Sequence, residues 1–377
     1  MAQLFTDWRG KEIRRHSYSA GGDFEYCNRL YRLKRKDGIV ERKKSAAMEF
    51  GKAIEAAAAR HCTDGHGGEA RFTEEWAKHK DRTDLTYSDK DKDWATCEVM
   101  GRELMRLFSY ALPALPIVAP KFQVQIEREI FPGTALAGIG FIAYLDCISS
   151  PPPNHPLLAS FVGESPNTQF RPLVIDFKAS GDRLAVESEK MLALDSQLAT
   201  YAWISRVPDV AFLYFIKAAP RELKRGDTVR LWQEPASDFT VGDYDDGGVW
   251  LVSKEQAEAL GERIHGLKNR ALETQRREFC INVGQIAGRE DVTRQRIQFI
   301  TTRLPDEVIE ETGERIKRQI AGIVQAEREN FWPRQGGIRF PNQKCTYCYL
   351  RGVCAGDVKL AAELTVARDE QWLEETE

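Results

Sequence analysis

Four cysteines and one Asp-x-Lys pair are the residues of this 377-residue chain best suited to do chemistry. Cys345, Cys348 and Cys354 lie in KCTYCYLRGVC, spaced C-x2-C-x5-C, and Cys27 lies in FEYCNRLYRLKRK near the other end. The triplet is one ligand short of a four-thiolate site. Cys27 can complete it, so that one metal centre clasps the two ends of the chain. Zinc and an iron–sulfur cluster are both open to four thiolates. Cys62, Cys97, Cys147 and Cys280 are scattered singly and read as small apolar residues.

The second centre is Asp176 and Lys178 in VIDFKAS. On a strand, positions i and i+2 share a face, so the carboxylate and the ammonium are presented together while Phe177 turns to the core. A carboxylate there is a hard oxygen ligand for Mg2+ or Mn2+. A lysine beside it can orient an attacking water or stabilise negative charge developing on a phosphodiester. Alone, the same pattern is also met as an ordinary surface ion pair. Downstream, Gln197 and Tyr201 in QLATY fall on one helix face at i, i+4 and can point at such a site.

These residues need elements to hold them. Residues 17–62 read as helical with a break at Asp37-Gly38, and SAAMEFGKAIEAAAARH is strongly helix-favouring. A further helix is expected over 93–110, ended by Pro113 and Pro116. FQVQIEREI (122–130) alternates apolar and polar residues as a half-buried strand does. GIGFIAYLDCI (138–148) and PLVIDFKA (172–179) are further strands, separated by a proline-rich loop. An amphipathic helix over 188–206 leads to a strand at 211–219, and VRLWQ (229–233) adds an edge strand. Ser253 and Gln256 form a capping box opening a helix to about Arg277. Another helix covers 305–330, and ELTVARDEQWLEETE reads as a loose acidic tail.

YCNRLYRL at the front, VIDFKAS and QLATY in the middle and FPNQKCTYCYLRGVC at the end together resemble the iron–sulfur RecB-like branch of the PD-(D/E)XK nuclease superfamily. That branch includes CRISPR-associated RecB-type and AddB-type exonucleases. The resemblance implies a mixed α/β fold with a restriction-endonuclease-like central sheet flanked by helices, and a helical part formed by both termini. It implies a 4Fe-4S cluster on Cys27, Cys345, Cys348 and Cys354, and favours that cluster over zinc. It also implies Mg2+- or Mn2+-dependent DNA cleavage. The corresponding organisation is a helical region over 1–115, a nuclease core over 116–250 and a second helical region over 251–377.

The chain departs from the family twice. Where the family's early helix carries a histidine in Gly-x-x-x-His, this chain has Glu55 after Gly51, and a glutamate can ligate the same hard cation. His61 and His66 lie beyond and read as ordinary polar residues. The family's next acid follows a glycine as Gly-x-x-Asp, and counting from Gly140 lands on Ala143. Asp146 lies three residues on, which in a regular strand faces the other side. Either a bulge lets Asp146 serve, or the acid is absent and the chain is impaired in cleavage. In an active form Glu55, Asp146 and Asp176 hold the metal, Lys178 positions water, and Gln197 and Tyr201 steady the shell.

Composition bounds the rest. With 42% hydrophobic and 29% charged residues and a net charge of −3, the chain is ordinary for a globular protein. It has no apolar run of about 18 residues to span a membrane and no apolar leader at its start, which predicts a cytoplasmic protein. A local strip with Arg29, Arg32, Lys34, Arg35 and Lys36 could track a DNA backbone, with Arg221, Lys224 and Arg225 extending it, or be a solvated helix face. The favoured expectation is an exonuclease or end-processing nuclease acting on single strands or duplex ends. The alternative is a nuclease fold that binds DNA or serves an assembly without cutting. With no helicase motif, any helicase, recombination, CRISPR or phage assembly partner would be a separate chain.

Overall fold

A computed structural model describes residues 15–88, 91, 93–152, 155–161, 172–181, 192–218, 228–230, 238–245, 248–253, 281–282, 296–335, 337–338 and 343–368. The chain opens with β1 (Arg15–Ser17), α1 (Tyr18–Tyr26), α2 (Asn28–Tyr31) and a π-helical turn over Arg32–Lys36. Two short strands, β2 (Ile39–Glu41) and β3 (Lys44–Ser45), precede α3 (Ala46–Asp64) and α4 (Gly68–Ala77). Then come β4 (Leu85–Thr86) and α5 (Trp94–Ala111). The alanine run of α3 is used for close packing, with Ala46, Ala53, Ala57 and Ala58 all buried. Helices α4 and α5 also meet closely at Gly101, where an added Cβ would lie 1.9 Å from the Phe72 ring.

The central part is β5 (Lys121–Glu129), β6 (Gly140–Ser149), β7 (Leu173–Ser180), α6 (Ser196–Ser205) and β8 (Asp209–Ile216). A separate antiparallel sheet is made of β9 (Thr228–Arg230), β10 (Asp238–Asp245), β11 (Gly248–Ser253) and β12 (Ile281–Asn282). Ser253 thus ends a strand, and the helix expected over 254–277 lies outside the described residues. Next are β13 (Ile297–Arg303) and α7 (Asp306–Glu329). The end is α8 (Lys344–Tyr347), α9 (Arg351–Ala355), α10 (Val358–Leu364) and β14 (Thr365–Ala367).

Six strands form the main sheet, in the order β1-β6-β7-β8-β13 with β5 paired to β6. It is mixed: β1–β6 and β7–β8 are parallel, while β5–β6, β6–β7 and β8–β13 are antiparallel. The chain is therefore a mixed α/β protein with helices on both sides of its sheet. On one face Phe50 and Ile54 of α3, Trp76 of α4 and Phe108 of α5 pack on Ile175, Phe177 and Phe215. On the other, Leu198 and Ala202 of α6 and Ile316 and Ile320 of α7 pack on Ala143, Leu145, Val174 and Phe212. Each such large side chain contributes roughly 1.5–3 kcal/mol by leaving water.

The two ends meet as a third layer. Tyr31 stacks on Trp332 at 5.6 Å, and its hydroxyl donates to Glu327 Oε1 at 3.0 Å. Strand β14 pairs antiparallel with β2, so Thr365–Ala367 is a strand and not part of a loose tail. Residues 369–377 lie outside the described residues. No described helix is long and apolar enough to cross a membrane.

Candidate active site and thiol cluster

The site lies where β6 and β7 part. They pair only over Cys147–Ser149 against Leu173–Ile175, while the start of β6 pairs with β1 instead. Past Ile175, β7 runs on beside β8 alone, which leaves a gap in the sheet at Asp146 and Asp176. Asp146 bridges the mouth of that gap: its Oδ2 accepts the Phe177 backbone N–H at 2.9 Å. Asp176 is buried, with 1% of its surface exposed. Its Oδ2 lies 2.5 Å from Lys178 Nζ, and its Oδ1 accepts from Gln197 Nε2 at 3.0 Å.

Helix α6 supplies the second pair of polar groups. Its N-terminus is held by Asp195, whose carboxylate accepts from the Gln197 and Leu198 N–H groups at 2.9 Å. That cap sets Gln197 beside the strand, where its Oε1 accepts from Lys178 at 3.0 Å and its Nε2 reaches Tyr201 Oη at 2.8 Å. Glu55 comes from the opposite side of the sheet. At Gly51, one turn before it, α3 runs over the end of β7, with Ala179 Cβ 3.9 Å from where a Cβ would stand. The Gln123 amide of β5 donates to the Glu55 carboxylate.

The electrostatics follow from this crowding. Burial, reinforced by the neighbouring Asp146 charge, pushes Glu55 up to about 7. Burial likewise raises Asp176, with Lys178 opposing and Asp146 adding to the shift, and burial raises Asp146. The Tyr201 hydroxyl is held well above its ordinary range by burial and then by Asp176. Three acids raised chiefly by burial form a site whose negative charge a cation would relieve. Among the described residues, no three His, Cys, Asp or Glu side chains stand at the spacing of a metal centre, and each of these carboxylates rests on protein donors.

Ala143 is not at this site. It is 4% exposed and packs in the apolar layer with Phe141, Leu145 and α6. Of the two β6 positions weighed for the acid, Asp146 stands at the gap beside Asp176 and Ala143 lies in the core. The reason is a break in the β5–β6 ladder. Pairing runs from Lys121–Ile148 and Phe122–Cys147 straight to Val124–Leu145, omitting Gln123 and Asp146. Leu145 packs on one face of the sheet and Cys147 on the other, so strand alternation is interrupted between them. A reading that assumed regular alternation could not see this.

Arg32, Lys34, Arg35 and Lys36 of the basic strip are paired with acids. Lys36 and Arg35 are buried, Lys36 against Glu327 at 2.8 Å and Arg35 against Asp23 at 2.7 Å. Lys34 pairs with the same Asp23 at 2.8 Å and Arg32 with Asp37 at 3.3 Å. The π-helical turn buries Arg35 and Lys36 and leaves Arg32 and Lys34 partly exposed beside their acids. Arg29 lies by the cysteines, where its charge offsets the upward push of burial on Cys354. Arg221, Lys224 and Arg225 lie outside the described residues. His61 packs edge-on against Phe108 at 5.9 Å, as an ordinary polar residue does.

The four cysteines come together. Cys27, Cys345, Cys348 and Cys354 line one cavity of about 590 Å³, with Tyr26, Leu30, Arg334 and Leu350. Cys27 caps the junction of α1 and α2, while Cys345 lies within the single turn of α8 and Cys348 caps its end. Their thiols are free, and burial raises Cys348 and Cys354. Of the remaining cysteines, Cys97 and Cys147 are fully buried, and burial pushes Cys62 up to about 12. Cys280 lies outside the described residues.

No family model and no curated protein matches the chain. Among solved structures, the chain is similar to a candidate exonuclease from Eubacterium rectale, with 12% identity and a TM-score of 0.33. That likeness covers 72% of this chain and 86% of the other. It is also similar to a protein named SSO0001, at 12% identity and a TM-score of 0.19, over 61% of this chain and 79% of that one.

Proposed function

We propose that the chain is a divalent-metal-dependent nuclease that hydrolyses phosphodiester bonds in DNA, acting on single strands or duplex ends. The observation that carries this reading is the meeting of Asp146, Asp176, Lys178 and Gln197 at the parting of β6 and β7, with Glu55 of α3 tied to it through Gln123 opposite Asp146. The donor set suits a hard cation, because carboxylate oxygens are its preferred ligands. Glu55, Asp146, Asp176 and the carbonyl of Phe177 would hold Mg2+ or Mn2+, which polarises the phosphate and makes water a competent nucleophile at neutral pH. The Lys178 ammonium, fixed between Asp176 and Gln197, would orient an attacking water or meet the charge that builds on the phosphate. Gln197 locks the lysine and Asp176 together, and Tyr201 steadies Gln197 in turn.

The four-thiol cavity suits a 4Fe-4S cluster held by Cys27, Cys345, Cys348 and Cys354. Such a cluster would serve as a structural tie between the ends, with no redox step in the cleavage. With Ala143 in the core and Asp146 at the site, the alanine is no reason to favour a binding-only role.

Labelled single- and double-stranded DNA incubated with the full chain should be shortened in Mn2+ and left intact with a chelator. The Asp176→Asn and Lys178→Ala variants should both fold and fail to cleave. Cleavage that persists in either variant, or none by the wild type at any metal concentration, rejects the reading. Iron and sulfide analysis of anaerobic protein decides between cluster and zinc: a colourless, zinc-loaded chain rules the cluster out.

A further inference from the structure

Gln123 has a backbone φ of +48° in the middle of β5, where a strand residue should be extended. A residue with a Cβ in the left-handed region is strained by roughly 1–2 kcal/mol. Such strain persists only where the surroundings hold it, and it concentrates at functional sites. The strained position is also where the β5–β6 ladder omits a pair, and the partner omitted with it is Asp146. Phe122 packs on the α3 face of the sheet and Val124 on the α6 face, so β5 changes faces at the same level as β6.

The paired break has two outcomes. On β6 it turns Asp146 to the Phe177 N–H and the gap beside Asp176. On β5 it lays the Gln123 amide on the Glu55 carboxylate. A neutral amide donor can orient a carboxylate without adding charge to a site already crowded with acids.

We propose that Gln123 is a positioning residue that holds Glu55 toward Asp146 across the ladder break. The proposal rests on the metal-dependent nuclease reading of the same site. Outer partners of metal-binding carboxylates are worth about 10–100-fold in metal affinity or activity. The test is Gln123→Gly in the full chain, because glycine accepts the positive φ while removing the side chain that carries the amide. Titration calorimetry with Mn2+, thermal unfolding and cleavage of labelled single-stranded DNA are measured together.

Mn2+ affinity and kcat should each fall about 10–100-fold, with KM for DNA unchanged and Tm no lower than wild type. A glycine variant that binds Mn2+ and cleaves as the wild type does overturns the proposal. A variant that fails to fold overturns it too, since a residue acting only on Glu55 is not needed for folding. A wild type that neither binds Mn2+ nor cleaves DNA instead rejects the nuclease reading itself, and the proposal with it.

Discussion

A carboxylate three positions from an alanine shows how much one residue's direction decides. Ala143 sits in an apolar layer and Asp146 at the gap between two strands. An aspartate at position 143 would bring a charge among Phe141, Leu145 and α6 with no partner, at a cost of several kcal/mol. Ala143→Asp should therefore lower stability by about 3 kcal/mol or more in urea unfolding and restore no cleavage. Asp146→Asn should fold normally and lose Mn2+-dependent cleavage by at least about 100-fold. A gain of activity in Ala143→Asp would mean that the acid position had been placed wrongly.

At the scale of elements, the site depends on where helices start and strands diverge. The Asp195 cap fixes the first turn of α6 and with it Gln197. Asp195→Ala should cost about 1 kcal/mol of stability, and cleavage should fall more than that loss explains because Gln197 no longer faces Lys178. Equal activity at a temperature where both proteins stay folded would show that the cap is structural only.

Strand β1 makes a second, pH-linked prediction. His16 is 4% exposed, and burial, followed by the Lys36 charge, pulls its pKa from 6.5 to about 3. The unfolded chain binds this proton more readily than the folded one. Stability from the neutral imidazole is thus complete above about 6.5 and is lost as pH falls toward about 3. Unfolding midpoints of the wild type should drop between pH 6.5 and 5, and those of His16→Phe should drop less. Parallel curves would show that His16 does not titrate with folding.

Over the whole molecule, the two ends are joined by more than their cysteines. Tyr26 Oη donates to the Lys344 carbonyl at 2.9 Å, and Arg42 donates to the Ala362 and Thr365 carbonyls at 3.0 Å. Beneath them Glu327, with no exposed surface, pairs with Lys36 and accepts from Tyr31. Removing one partner of a buried pair leaves the other charge uncompensated, at about 3–5 kcal/mol. Glu327→Ala should lose stability of that order and speed amide exchange in α1 and α2 before the main sheet. Cys27→Ser should open the thiol cavity to alkylation and leave the β2–β14 pairing intact. Simultaneous loss of exchange protection across the sheet in either variant would mean that the ends and core are one cooperative unit.

Much of this was legible in the chain itself. The strand carrying Asp176 and Lys178 and the i, i+4 pair Gln197 and Tyr201 follow from local periodicity, which backbone geometry imposes whatever lies nearby. The cysteine spacing set three thiols close together, and all four cysteines line one cavity. Three things had no local signature. Strands β1 and β13 join the sheet only because remote strands offer open edges. The basic strip looks like a surface until Asp23 and Glu327 arrive from elsewhere to take its charges. The break at Gln123 and Asp146 belongs to two strands at once, so neither strand's own alternation reveals it. Residue type and spacing determined which groups could do chemistry. Tertiary pairing decided which of them face one another, because side-chain direction at a ladder break is settled by both strands and the helices that cover them.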